Sequence, residues 1–409
     1  MAQLTIPVGA RKLFVGQEST YGTAATTAFA RHIEGSLNAT LSQTEIEHNA
    51  GSARLFQQFV TRQGLQSNAS TVAFGIHAKP AFAKLDSSAS PSTPYLGKLL
   101  EAILGGEAKG AGSTVSGAGS TQTTVDVQAG HGSRFKVGTV IHVEVSSVYY
   151  PRVITAIATD TLTVWPELAV APSAGDDVIN SYSYFLTESN TKSLTIEDTF
   201  TVPSGDASTV QRRLLGCTGG INFAIARDTL ATFGFDLRAA AWEYGSLSLA
   251  TTVGSETMGD PIPVTNGQIY LQAEGVTTAT PYAVASMQGT MNTGMQHLLT
   301  LGGVQGTSGV ARMGGRDSAE FTVRARIDYD RYTEWSSQSL LRFLALFPYG
   351  SGTSARTVAL HVNRVQLIGK PAEVEEGGFL YYDLKFRPVL DTSYTLDTAA
   401  ASPYVWSLI

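Results

Sequence analysis

Two stretches alternate between apolar and polar residues with a period of two. In the first, Phe321, Val323, Ala325, Ile327 and Tyr329 are interleaved with Thr322, Arg324, Arg326 and Asp328. In the second, Leu380, Tyr382, Leu384 and Phe386 are interleaved with Tyr381, Asp383, Lys385 and Arg387. Such alternation predicts strands with one face buried. Shorter runs predict further strands at 13–15, 35–41, 71–79, 194–196, 221–225, 233–237 and 357–368. Two stretches predict helices. In Tyr95–Leu104, Leu96, Leu99, Leu100 and Ile103 share a face, Pro94 stands before the first turn, and Gly105-Gly106 ends it. In Ser339–Phe347 an almost wholly apolar run ends at Pro348 and Gly350.

One pattern occurs twice. Glu34-Gly35-Ser36-Leu37-Asn38-Ala39-Thr40-Leu41 is matched by Gln288-Gly289-Thr290-Met291-Asn292-Thr293-Gly294-Met295. The flanks follow the same order. Leu13-Phe14-Val15 with Glu18 precedes the first copy, and Ile269-Tyr270-Leu271 with Glu274 precedes the second. A long segment comes after each, then a strand, a helix and more strands. A duplication of this kind decides architecture before any local reading does. The long segments, 42–70 and 296–318, predict protruding loops or hairpins. They carry Arg54, Phe56, Phe59 and Arg62 in the first and Arg312 and Arg316 in the second, with few acids. Segments this long in a compact domain usually have a function. Docking onto a neighbouring copy is the role expected of them here.

The composition changes near residue 110. Residues 110–120 are Gly, Ser, Ala and Thr with one Val, the signature of a flexible linker. Short strand-like runs follow at 124–127, 140–145, 152–157 and 161–164, divided by turn residues. The chain thus divides into a first domain of 1–109 and 183–250, a small inserted β-domain of 110–182, and a second domain of 251–409.

Only 15% of the 409 residues are charged, and 41 glycines with abundant Ser and Thr take their place. That balance suits β-rich proteins and subunits buried in assemblies. A net charge of −6 argues against a grip on nucleic acid through neutralised phosphates. The single cysteine, Cys217, excludes an internal disulfide and a multi-cysteine zinc site. No apolar run reaches the roughly 18–20 residues that span a bilayer as a helix, and the start of the chain lacks the features of a signal peptide. The seven histidines are dispersed, and Gly216–Gly220 has no Lys-Ser/Thr after it, so no phosphate loop is formed. No nucleophile, base and orienting group stand together as a set. An enzyme is not expected, nor a cofactor or metal.

Arg11-Lys12-Leu13-Phe14-Val15-Gly16-Gln17-Glu18-Ser19-Thr20-Tyr21-Gly22-Thr23, with its basic start, apolar run and Glu-x-x-Tyr-Gly-Thr, resembles the opening of the tail tube (major tail) proteins of long, non-contractile tailed phages. The order of strand, long loop, strand, helix and strands is similar to their fold, a β-sandwich flanked by a helix. Segment 120–180 resembles small β-modules inserted in phage structural proteins. The resemblance implies two tube-like β-sandwich domains in one chain, with the inserted β-domain on the outside. It implies trimeric, pseudo-hexameric rings stacked into a hollow conduit for the genome. Partners would be further copies, the tape measure, tail terminator and tail tip proteins, and double-stranded DNA in passage. The location would be the virion, after synthesis in the host cytoplasm, and no membrane would be bound. Tube lumens of this family are acidic or neutral, and Glu197, Asp198, Asp236, Asp328 and Asp383 are candidate lumen acids on polar strand faces. Asp328 and Asp383 could equally pair with Arg324, Arg326, Lys385 or Arg387 across strands. The alternative reading is a tail-tip or fibre-like adhesin that binds host glycans.

Overall fold

The computed structural model describes residues 11–25, 30–32, 36–49, 59–75, 95–117, 119–200, 210–226, 229, 231–245, 267–273, 275–279, 281–282, 284–304, 307–326, 329–350 and 355–409. The chain is mainly β. It opens with β1 (Arg11–Gln17), β2 (Ala30–His32), β3 (Ser36–Asn49) and β4 (Phe59–Gly75), then helix α1 (Tyr95–Leu104) and β5 (Gly105–Ala108). Six short strands follow: β6 (Ser113–Thr114), β7 (Thr124–Asp126), β8 (Val140–Val145), β9 (Val148–Ala158), β10 (Thr161–Trp165) and β11 (Asp177–Ile179). Next come β12 (Tyr182–Leu186), β13 (Leu194–Phe200), β14 (Val210–Ala226), β15 (Thr232–Arg238) and β16 (Ala241–Gly245). The remainder holds β17 (Gln268–Ala273), β18 (Val284–Val304), β19 (Thr307–Arg326), helix α2 (Tyr329–Ser337), β20 (Leu340–Tyr349), β21 (Arg356–Leu367), β22 (Ala372–Glu376), β23 (Phe379–Pro388) and β24 (Val405–Leu408).

Helix α1 forms where its apolar spacing places it. Leu96, Leu99, Leu100 and Ile103 are buried, and Gly105 turns the chain out of the helix at φ +92. The helix predicted over Ser339–Phe347 is instead strand β20. Leu341, Phe343, Ala345 and Phe347 enter one core cluster, while Leu344 and Leu346 enter another. A strand buried on both faces reads as a continuous apolar run, which periodicity cannot distinguish from a buried helix. The helix lies just upstream, in the polar stretch of α2. The predicted linker 110–120 also differs. It contributes β6 and an isolated bridge between Val115 and Val127.

Antiparallel pairing runs through eight elements in the order β3–β4–β15–β14–β18–β19–β23–β22. Two further sheets pack beside this one. The first is β2–β1–β13–β14–β16. The second is β17–β20–β21–β24–β12–β5. Strands β14 and β21 each belong to two sheets. In β14, residues 210–217 pair with β13, and residues 218–224 pair with β15. The passage lies at Leu215-Gly216-Cys217-Thr218-Gly219, where Gly216 takes φ +63 and a Cβ would meet Ala240 at 2.8 Å. Residues 36–41 of the first repeated pattern lie on β3, and residues 288–295 of the second lie on β18.

The core between these sheets is continuous. Trp406, 0% exposed, sits edge-on to Phe223 and Phe233, with ring centroids 5.3 and 4.6 Å away, and its indole N–H points to the Met291 sulfur at 3.3 Å. One C-terminal side chain thus joins β14, β15 and β18.

Residues 113–179 form a separate sheet in the order β6–β11–β8–β9–β10–β7, and the Val115–Val127 bridge brings its two end strands together. The result is a small closed barrel with its own core, including Val125, Phe135, Ile141, Val143, Ile154, Leu162 and Val178. The barrel rests on β20 and β21 through a third apolar layer: Val140, Val153, Trp165 and Ile179 against Tyr270, Leu344, Leu346, Ala359 and Ile409.

Candidate assembly surface

Three features of the eight-stranded sheet bear on function: its two edges, its polar face and its long hairpins. Among the described residues, β3 pairs with β4 alone and β22 with β23 alone, so each presents an unpaired edge. Strand β22 carries Glu373, Glu375 and Glu376, and Phe379 and Leu380 beyond its turn are 69% and 50% exposed.

The polar face follows from the period of two. Ile221, Phe223, Ile225, Phe233, Phe235, Leu237, Met287, Met291, Phe321, Val323, Leu384 and Phe386 point into the core. The opposite face therefore collects Asn222, Thr232, Asp236, Gln288, Thr290, Asn292, Glu320, Thr322, Arg324, Asp383, Lys385 and Arg387. In the β14–β18 region these are amides and hydroxyls. Toward β23 they are charges that neutralise one another. Arg324 donates to Asp383 at 2.8 and 3.0 Å and to Glu376 at 2.7 Å. Lys385 lies 2.6 Å from Glu320, which Arg387 also meets. Hydrogen bonds from Lys385 and Arg387 hold the Glu320 carboxyl below the usual range, and those to Asp383 and Glu376 raise the Arg324 guanidinium.

The candidate acids part company here. Asp383 is paired with Arg324, the cross-strand alternative. Asp236 is exposed and accepts from the Asn222 amide at 3.1 Å. Glu197 and Asp198 lie on β13, outside this sheet, and are 3% and 0% exposed. Arg213 Nε meets Glu197 at 2.8 Å, and Arg212 meets Asp198 at 2.6 Å. Burial and pairing leave neither as an open carboxylate on a strand face. Asp328 lies outside the described residues.

The long segments are largely hairpin strands. β3 and β4 pair from Ser36–Ala73 out to Asn49–Phe59, and β18 and β19 run well past the sheet. Arg54 and Phe56 lie outside the described residues. Phe59, Arg62 and Arg316 fall on β4 and β19, and their side chains lie outside them too. Arg312 is placed, and it faces inward. Its guanidinium donates to Thr293 O at 2.6 Å and to Leu104 O at 3.2 Å, so it caps the end of α1 and ties the β18–β19 hairpin to that helix. Thr293 Oγ1 donates to Gly219 O at 2.6 Å. His297 bonds Arg238 O through Nε2 at 3.1 Å and the Tyr21 hydroxyl through Nδ1 at 2.8 Å.

Tyr21 belongs to the Glu-x-x-Tyr-Gly-Thr stretch, whose purpose the residue types alone did not disclose. Glu18 is 8% exposed, and its carboxylate accepts four hydrogen bonds: from Gly22 N and Gly216 N, both 2.8 Å, Ser193 Oγ at 2.5 Å and Thr195 Oγ1 at 3.0 Å. The glutamate fixes the turn that presents Tyr21 to His297. Three of its four donors come from positions 193, 195 and 216, too distant in sequence for a motif to reveal.

The described residues offer no catalytic constellation. Cys217 is buried, and burial pushes its thiol well above the ordinary value. No group of three or more metal-ligating side chains occurs among them. No described helix is long and apolar enough to cross a membrane. Compared with known protein families and with curated proteins, the chain matches none.

Proposed function

We propose that the chain is a structural subunit of a non-contractile phage tail tube, self-assembling into stacked rings around a hollow conduit for the viral genome. One observation carries this reading: the eight-stranded sheet has an internal period of four. In the first half the pairing order is β1–β13–β14–β15–β4–β3, and in the second it is β17–β20–β21–β23–β19–β18. Helix α1 follows β4, and α2 follows β19, at the matching place. The two halves are therefore read as two copies of one tube-like domain, with the barrel inserted after the first helix.

The halves meet where β14 receives β18, with Ile221 opposite Met291 and Phe223 opposite Gly289. In the repeat, β3 corresponds to β18, and the end of β21 with β22 corresponds to β14. The unpaired edges at the two ends of the sheet are thus the two sides of a junction that the chain already makes internally. A second copy can add its β3 to the β22 edge of the first, and head-to-tail addition closes into a ring. Three chains supply six four-strand units, so the ring is a trimer with pseudo-sixfold symmetry. The sheet's other face, of amides, hydroxyls and internally neutralised charges, would line the lumen and offer phosphates few free cations to hold. The long hairpins would reach the next ring. The role is structural, without catalysis.

Negative-stain electron microscopy of the purified protein tests this. Hollow tubes built of threefold or pseudo-sixfold rings are expected. A species that stays monomeric at high concentration and in the presence of tail-tip complexes overturns the proposal.

A further inference from the structure

We propose that the small barrel is held on the body by an acid-releasable joint, in which His142 and His361 act as the trigger. The joint is the apolar layer between the barrel and β20–β21, and two imidazoles are sealed within it. His142, on β8 of the barrel, is 1% exposed, and its Nε2 lies 2.8 Å from Thr357 Oγ1 on β21. His361, on β21, is 2% exposed, and its Nδ1 lies 3.1 Å from Gly138 O in the barrel. Each histidine thus bridges the two bodies in opposite directions. A carbonyl accepts only, so the His361 proton sits on Nδ1. The remaining nitrogens, His142 Nδ1 and His361 Nε2, are buried and have no hydrogen-bond partner. Doubly protonated, either ring would carry one buried N–H with no acceptor for it.

The neighbouring charges add to this cost. From β20, Arg342 faces His361 and also lies over the Trp165 ring of the barrel, 5.4 Å from its centroid. From β9, Arg152 is 6% exposed and donates to the carbonyls of Pro151 and Glu167. Tyr149 is the titratable group beside His142, with ring centroids 6.0 Å apart. The acids of that corner, Glu144, Asp176 and Asp177, act on the Tyr149 hydroxyl, which donates to Asp177. Burial is what acts on His142, and it pushes that imidazole down to about 3. Burial first and Arg342 second push His361 down to about 3 as well.

The sign follows from linkage. The docked state holds both rings neutral, whereas the open state lets them titrate near 6.5, so the open state binds more protons at low pH. The joint is at full strength above about pH 6.5 and weakens continuously as pH falls toward about 3. In that window each histidine shifts the docked-to-open ratio tenfold per pH unit, and the two together about a hundredfold. By pH 5 the cumulative shift is about a thousandfold. The barrel keeps its own core throughout, so what acid favours is undocking rather than unfolding of the barrel.

The joint can be read by amide hydrogen exchange on the full chain between pH 7.5 and 4.5, corrected for intrinsic rates. The amide of Val140, which donates across the joint to Ser407 Oγ at 3.4 Å, is expected to lose protection steeply with acidification, while those of Ile154 and Leu162 in the barrel core do not. The double variant His142→Gln, His361→Gln is expected to remove that difference. Equal pH dependence at joint and barrel core, or an undiminished difference in the double variant, overturns the proposal. Should the variant fail to fold, histidine ring NMR of the wild-type chain decides. Either imidazole titrating near 6.5 while the joint is closed refutes the trigger.

Discussion

Glu18→Gln is the most discriminating single substitution in the body of the protein. It keeps the shape of the side chain but replaces one acceptor oxygen by an NH2 donor. The pocket supplies four donors and the native carboxylate satisfies all of them. A glutamine can satisfy the donors on one side of the pocket only, while its own N–H groups are turned toward the others. The two hydroxyls, Ser193 and Thr195, can rotate away. The backbone N–H groups of Gly22 and Gly216 cannot. Losing charge-assisted bonds worth about 1.5–3 kcal/mol each, with one backbone donor left buried and unsatisfied, gives a cost of about 4 kcal/mol. Urea unfolding followed by tryptophan fluorescence measures it, since Trp242 on β16 pairs with Leu214 of β14, close to the pocket. The midpoint should fall with little change in slope. A Glu18→Gln protein within about 1 kcal/mol of wild type would show that the four contacts do not bear on stability as argued. The same variant should loosen the Tyr21–His297 contact, visible as faster exchange at the base of the β18–β19 hairpin.

Two other outcomes follow from the architecture. Trp406→Ala removes the indole that fills the junction of β14, β15 and β18, and should cost about 3–5 kcal/mol in the same unfolding assay; a loss under about 1 kcal/mol would show that the junction collapses around the gap. Replacing residues 44–64 by Asn-Gly closes β3–β4 with a two-residue turn and keeps Gln43 opposite Leu65. The chain should then remain folded by circular dichroism yet fail to form tubes in the electron microscope, and normal tube growth would remove the hairpin from the account of stacking.

Much of this architecture is written in local pattern, and what is missing from the pattern has physical causes. Strand β23 lies where spacing predicts it because it buries one face only, and helix α1 because its spacing carries Leu96, Leu99, Leu100 and Ile103 into the core. Strand β20 was masked by its own burial, since the barrel covers the face that would otherwise be polar. The long segments 42–70 and 296–318 lack a clean period, so their pairing as the hairpins β3–β4 and β18–β19 is carried by backbone ladders that side-chain pattern does not report. Among the candidate acids, Asp383 could be foreseen as paired, because Arg324 stands opposite it on the adjoining strand. Glu197 and Asp198 stand just as directly opposite Arg213 and Arg212, but pattern predicts no strand over 210–217 to bring those arginines against them. The joint histidines were invisible for a simpler reason. Each looks like an ordinary strand residue until a partner more than 200 positions away is brought against it.

Strands β14 and β21 each lie in two sheets at once, and this has a mechanical consequence. Two sheets that merely face one another can slide when loaded, because only side-chain contacts resist. Here a displacement of one sheet along its strands must drag the shared strand through the other, breaking ladder hydrogen bonds in both. The layered body should therefore yield to force in one event rather than peel layer by layer. The barrel, tethered at both ends but ruled by its own core, would break away at a different load. A particle built from such chains would be stiff where its sheets interlock and compliant at the joint that carries the barrel.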